Sequence, residues 1–323
     1  MEQLGTTVVT GGAGFIGSAV IKELNRRGIF DILVVDDLGN GDKWRNLVGK
    51  RFSDLIHKSS LFDWLEQQHV SGIIHLGACS STVEQDANYL LENNYRYSRR
   101  LAEIAIERSI RFVYASSAAT YGDGSLGFSD DHELLPNFAP LNMYGYSKHL
   151  FDLYLAKNQL LDQVTGLKYF NVYGPNEWHK GRMASALLKM VPEVREKGFI
   201  SLFKSYDGAY LDGDQLRDFI YVKDAAAITC DLFFSTFRGI VNVGTGEANS
   251  WNRLARAVFS ALGKQEDIRY IPMPEDLMGK YQYFTKADTA KLCAALGKEP
   301  IAFSIEQAVY DYVNEHLLQE KTW

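Results

Sequence analysis

"TGGAGFIGS", residues 10–18, is the most informative run of this chain. It follows a short β-branched run, Thr6–Thr10, and opens a long amphipathic stretch over 15–27. Gly11, Gly14 and Gly17 stand three apart, and about twenty residues on a second apolar run ends in Asp36 and Asp37 ("VVDDL", 34–38). Strand, G-x-x-G-x-x-G, helix, strand and acid is the pattern of a dinucleotide-binding unit. Gly11 permits the tight turn, Gly14 lets the backbone touch a pyrophosphate, and Gly17 lets the helix pack on the sheet. Helix N-terminal amides then face the phosphates. An acid after the second strand accepts hydrogen bonds from the adenosine ribose, which favours NAD over NADP. Lys43, just downstream, could neutralise a 2′-phosphate, and the residues alone leave that competition open.

Working outward, short apolar runs alternate with helical patterns through the first half of the chain. Strands are expected at Thr6–Thr10, 31–35, 72–76, 111–115 and 166–170, with helices near 15–27, 61–68, 97–108 and 143–159. Continuous apolar strands between helices imply a doubly wound parallel α/β sheet of Rossmann type, closed by right-handed crossovers. After about residue 170 loops rich in Gly, Asp and Pro appear (174–182, 205–215, 272–280), between helices near 183–197, 224–235, 250–262 and 304–318. A further run at 240–243 returns to the large sheet. The expected division is a dinucleotide-binding domain over 1–170 and a smaller, interleaved C-terminal substrate lobe over 171–323.

Composition excludes several classes of function. The net charge of -6, with Lys and Arg scattered, leaves no basic stripe for nucleic acid or an anionic membrane. No apolar run nears the roughly 18–20 residues of a membrane span, and nothing reads as a signal peptide. The 3 cysteines show no metal-ligand spacing and read as reduced thiols of a cytoplasmic protein. No metal site is expected.

Two stretches carry candidate chemistry. "MYGYSK" (143–148) sets Tyr144 and Lys148 one helical turn apart, projecting from one face. A nearby ammonium lowers a phenol's pKa, as a general base working near neutrality requires, and Lys148 could also hold the nicotinamide ribose. "YASSAATYG" (114–122) puts Ser116 and Ser117 at the carboxyl end of the strand at 111–115, where ligands bind in such sheets. A serine hydroxyl there can donate to a carbinol or carbonyl oxygen beside the tyrosine.

The spacing of these three motifs resembles the extended short-chain dehydrogenase/reductase family, which acts on nucleotide sugars. "KYFNVYGP" (168–175) and "RDFIYVKD" (217–224) extend the similarity across nearly the whole chain. Dehydratases of that family carry an Asp-Glu pair just after the serine or threonine; Ala118 and Ala119 stand there, with no proton to move. "NVYGPNEWHKGRMAS" (171–185), with "HLGACSST" (75–82) and "GKYQYFTKAD" (279–288), resembles the branch that epimerises C6 of an ADP-heptose for lipopolysaccharide inner-core synthesis.

That resemblance implies oxidation at C6 to a transient ketone, a turn of the sugar, and hydride return to the opposite face. Two proton-handling groups are then needed, Tyr144 and Lys180, with Ser117 holding the oxygen and His179 in a structural role. By motif position the resemblance implies cofactor contacts from Gly11, Gly14, Phe15, Ile16, Gly17, Asp36, Asp37, Lys43, Lys58, Leu76, Gly77, Ala78, Cys79, Ser80, Asn93, Lys148, Val172 and Lys180. Substrate contacts fall on Asn171, Arg182, Lys189, Phe203, Arg217 and Tyr281, with Arg217 clamping the ADP pyrophosphate or else closing an ordinary ion pair. The implied cofactor is NADP, Lys43 matching a phosphate-binding lysine. Asp37 stands where some relatives have asparagine, and its charge opposes a phosphate, so NAD stays open. The implied assembly is a homopentamer. Two alternatives stand beside this: a UDP-hexose 4-epimerase, which works with the tyrosine alone, and a non-catalytic dinucleotide sensor, which would ordinarily have lost the Tyr-x-x-x-Lys pair.

Overall fold

The computed structural model describes residues 5–275 and 281–323. Gly279 and Lys280 of the 279–288 motif, and the end of the 272–280 loop, lie outside the described residues.

Each short Val/Ile-rich run becomes a buried strand. The large sheet holds β1 (Thr6–Thr10), β2 (Ile32–Asp36), β3 (Asp54–His57), β4 (Val70–His75), β5 (Arg111–Ser117), β6 (Thr165–Tyr169) and, after four short lobe strands, β11 (Gly239–Val243). All pairings are parallel, in the order β11-β6-β5-β4-β1-β2-β3. β2 and β11 are buried along their whole length, as expected of a sheet covered on both faces. One face packs on α1 (Phe15–Arg26) and α7 (Val222–Phe234). The other packs on α2 (Leu61–Gln67), α4 (Tyr97–Glu107) and α5 (Met143–Lys157). Strand order reverses at β1, whose neighbours are β2 and β4, so a crevice opens beyond their carboxyl ends.

Two features of the first half of the chain depart from the sequence expectation. Edge strand β3 is half exposed and polar at both ends ("DLIH"), which hides it from any apolar-run criterion. The helix expected from 97 begins ten residues earlier, as α3 (Ala87–Leu90) followed by a π-helical turn over Leu91–Arg96. That turn breaks the apolar spacing, and it turns Asn94 fully inward.

The smaller lobe is built from paired short strands. These are β7 (Asn171–Tyr173) with β10 (Phe219–Tyr221), β9 (Leu216–Arg217) with β12 (Asn249–Ser250), and β8 (Ile200–Phe203) with β13 (Ile268–Ile271). Helices α6 (Leu187–Lys197), α8 (Trp251–Ala261), α9 (Ala290–Leu296) and α10 (Ile305–Asp311) surround them. The chain leaves the large sheet after β6, re-enters it through α7 and β11, and leaves again, which interleaves the two parts. Among the described residues no helix is long and apolar enough to cross a membrane.

One ion pair lies wholly inside. Lys168 of β6 and Asp152 of α5 are both fully buried, 2.8 Å apart, and Tyr114 and Ser116 donate to the same carboxylate at 2.9 and 2.7 Å. Removing one partner strands the other charge in a dry core. Lys168→Ala is therefore expected to cost about 3–5 kcal/mol of stability. A denaturant titration showing less than about 1 kcal/mol, the worth of an exposed pair, would contradict this.

Candidate active site

The glycine turn sets the floor of the crevice. Gly11 has φ +67°, and a Cβ there would lie 2.7 Å from the Gly77 backbone. A Cβ on Gly17 would meet the Gly11 carbonyl oxygen at 2.1 Å. Helix α1 thus starts pressed against β1 and β4, leaving a cradle of bare backbone that fits a pyrophosphate. Asp36, at the end of β2, accepts the Ala13 N–H at 2.8 Å and the Asp37 N–H at 2.7 Å, and pairs with the Lys43 ammonium. Asp37 lies 3.6 Å from Lys58, which donates to Asn93 at 3.0 Å. Both acids and both lysines face the cleft at the end that fits an adenosine ribose.

The start of α5 brings Tyr144 to the end of β5. Asn142 caps the helix, accepting the Gly145 N–H at 2.8 Å. The two serines of β5 part company: Ser116 turns into the core towards Asp152, whereas Ser117 faces the cleft. Burial raises the Tyr144 hydroxyl, and the hydrogen bond with Ser117 draws it back down. The expectation that Lys148 lowers the tyrosine is corrected. Its ammonium donates instead to the Ala115 carbonyl at 2.8 Å, a tertiary acceptor invisible to helical spacing. Burial pushes Lys148 itself down to about 8, with Asp152 opposing.

Lys180 reaches the same cleft from elsewhere. It sits in a 3-10 turn, Trp178–Met183, between β7 and α6, with its ammonium 5.2 Å from the centre of the Phe15 ring. Burial lowers its pKa and Glu177 opposes that. His179 also lines the cleft, but its Nδ1 accepts from the Asn46 amide at 3.1 Å. Burial first, then Lys43 and Lys180, push it down to about 4, so it is a neutral imidazole near pH 7.

The cleft has a volume of about 770 Å³. Its walls include every residue that the motifs indicate for cofactor contact, together with Tyr144, Ser117 and Asn171. Of the six residues indicated for substrate contact, the five other than Asn171 do not wall the cleft. Arg182 and Lys189 on α6 are exposed, Phe203 at the end of β8 is half-buried, and none of the three walls the cleft. Arg217 is buried behind it, 4.9 Å from the Tyr281 ring. Tyr281 in turn contacts Trp251, which is a wall residue. Among the described residues Arg217 makes no ion pair; it donates to the Leu216 carbonyl at 2.8 Å and to the Gln282 carbonyl. Sequence reasoning missed Asn94, which accepts the Cys79 N–H at 2.9 Å and donates to the Cys79 carbonyl and the Ser147 hydroxyl. It ties the loop after β4 to α5. No spacing signalled it, because a π-turn sets its direction.

A family model described as the NAD dependent epimerase/dehydratase family matches residues 7–244. The chain belongs to that family. Among curated members, the ADP-L-glycero-D-manno-heptose-6-epimerase of Nitratidesulfovibrio vulgaris (strain DP4) is 49% identical over 96% of this chain and 97% of its own length. The enzyme of the same name from Fusobacterium nucleatum is 46% identical, over 98% and 99%. Among solved structures, the Helicobacter pylori ADP-L-glycero-D-manno-heptose-6-epimerase superposes with a TM-score of 0.81 at 26% identity, covering 96% of each chain. A UDP-N-acetylglucosamine 4-epimerase from Methanobrevibacter ruminantium has the same TM-score at 24% identity and speaks for the epimerase/dehydratase fold alone.

Proposed function

We propose that this member of the family is an isomerase that inverts C6 of the heptose in ADP-D-glycero-D-manno-heptose, giving ADP-L-glycero-D-manno-heptose for lipopolysaccharide inner-core synthesis. Lys180 and Tyr144 face one cleft from separate elements, and the assignment rests on that observation together with the names of the relatives. Residues 1–170 serve the cofactor and 171–323 the substrate.

A nicotinamide dinucleotide, taken as NADP, would supply the hydride chemistry when bound. The glycine cradle, Asp36 and Lys43 would hold it, and Lys148 would hold its ribose. One of Tyr144 and Lys180 removes the C6 hydroxyl proton, while Ser117 donates to the oxygen left behind. The sugar turns within the cleft, carrying the ketone oxygen to the other group, which delivers a proton as hydride returns to the opposite face. Each turnover leaves one group protonated and the other bare, and exchange with water resets both. Asn171, Arg217 and Tyr281 hold the ADP portion, with Arg217 on the pyrophosphate.

Purified protein given ADP-D-glycero-D-manno-heptose should yield the L-glycero epimer with no net reduction of cofactor. Stoichiometric NADPH would mark a dehydrogenase and overturn the assignment.

Lys43→Ala should weaken NADP about tenfold, the loss of one charge-assisted hydrogen bond, and leave NAD within about twofold. Equal loss for both would remove the case for a 2′-phosphate site. The pH dependence has a definite sign. The Lys148 ammonium is present below its folded pKa of about 8 and is lost as pH rises through it. Because kcat/KM reports the free enzyme, it should fall above about 8. Lys148→Met should abolish that limb. A homopentamer in the cytoplasm completes the proposal, checked by light scattering and cell fractionation.

A further inference from the structure

Glu177 lies three residues before Lys180 and outside the walls of the cleft, yet it is fully buried. A loop glutamate in a Gly- and Pro-containing stretch is ordinarily solvated. Here its carboxylate gathers donors from both ends of the 174–185 segment and from the C-terminal helix. It accepts the Ser185 N–H at 2.6 Å, the Ser185 hydroxyl at 2.5 Å, the Gly174 N–H at 3.4 Å and the Tyr312 hydroxyl at 2.9 Å. Its own carbonyl accepts the Lys180 N–H at 2.9 Å, starting the turn that carries the lysine. No cation is among its hydrogen-bonded partners in the described residues.

We propose that Glu177 is a positioning residue for Lys180: its buried carboxylate closes the loop around the turn and supplies the counter-charge that holds the ammonium in the cleft. This rests on the assignment of Lys180 as the second proton-handling group. The energetics favour it. The field of a carboxylate held by four donors inside a low-dielectric wall acts on the nearest mobile cation. The other groups facing this region are His179 beside the lysine, Lys43 and Asp36 from the β2 side, and Phe15 under the ammonium. Lys43 and Asp36 cancel by pairing with each other, and Phe15 is neutral. His179 is neutral near pH 7. Burial strips the ammonium of water, and Glu177 is the charge that offsets that loss.

The test reads the titration of Lys180 itself, by pH-dependent competitive acetylation of the intact protein followed by mass spectrometry. Glu177→Gln keeps the shape and deletes the charge, and Lys180 should then titrate about one pH unit lower, as loss of a nearby opposite charge demands. The Lys180 limb of the kcat profile should move down with it. Tyr312→Phe deletes a donor but leaves the charge, and the Lys180 titration should stay put. If Glu177→Gln fails to fold, Glu177→Asp carries the test, with a smaller downward shift expected. An unmoved Lys180 in a folded Glu177 variant, or an equal shift in Tyr312→Phe, overturns the proposal. Because acetylation does not need turnover, this outcome stays separate from failure of the C6-epimerase assignment, which Lys180→Ala with undiminished epimerisation would signal.

Discussion

Lys180→Ala is expected to lower epimerisation about 10²–10⁴-fold, the usual worth of a positioned general acid or base. The loss should be equal starting from either epimer, since each turnover passes one proton through each of two groups. The fold should survive, because the Lys180 ammonium donates to no protein acceptor among the described residues and the Glu177 carboxylate keeps its four donors. Thermal denaturation and a cofactor titration would confirm that the variant is intact. A variant that turns over at the parental rate would leave Tyr144 as the sole acid/base group, as in a 4-epimerase.

Tyr144→Phe should have an effect of the same size, and the pair should not add. Once one of the two proton transfers is missing no turnover completes, so the double variant should be about as slow as either single variant. Additive losses would mean two independent contributions in place of one sequence of steps. Ser117→Ala is milder, about tenfold to a hundredfold, because it removes a donor to the oxygen and leaves both proton carriers. Measuring all four under one set of conditions separates these cases.

How far the sequence foretells this arrangement depends on what fixes each residue. The strands read directly as Val/Ile runs because the sheet is covered on both faces, and the glycine turn follows because backbone crowding admits no Cβ at Gly11 and Gly17. Topology then carries residues 36, 76–80, 117 and 144 to one crevice, since strand ends converge where the strand order reverses. What stayed hidden is set by tertiary partners. Lys148 shares a helix face with Tyr144, yet the Ala115 carbonyl captures its ammonium. Asn94 points inward because a π-turn rotates it, and Glu177 is buried because α10 continues into a turn that brings Tyr312 over it. Lys180 was reachable by motif resemblance alone; a lysine in a glycine-flanked loop carries no spacing signal.

The claim beneath all of this is that two proton carriers flank the reactive carbon from opposing sides. A crystal structure of the complex with oxidised cofactor and an ADP-heptose tests it most directly. The account requires the Tyr144 hydroxyl and the Lys180 ammonium to lie on opposite sides of C6, each within about 2.6–3.2 Å of a position its oxygen occupies in one epimer. A Lys180 side chain turned to solvent in that complex, with Tyr144 alone at C6, would contradict it.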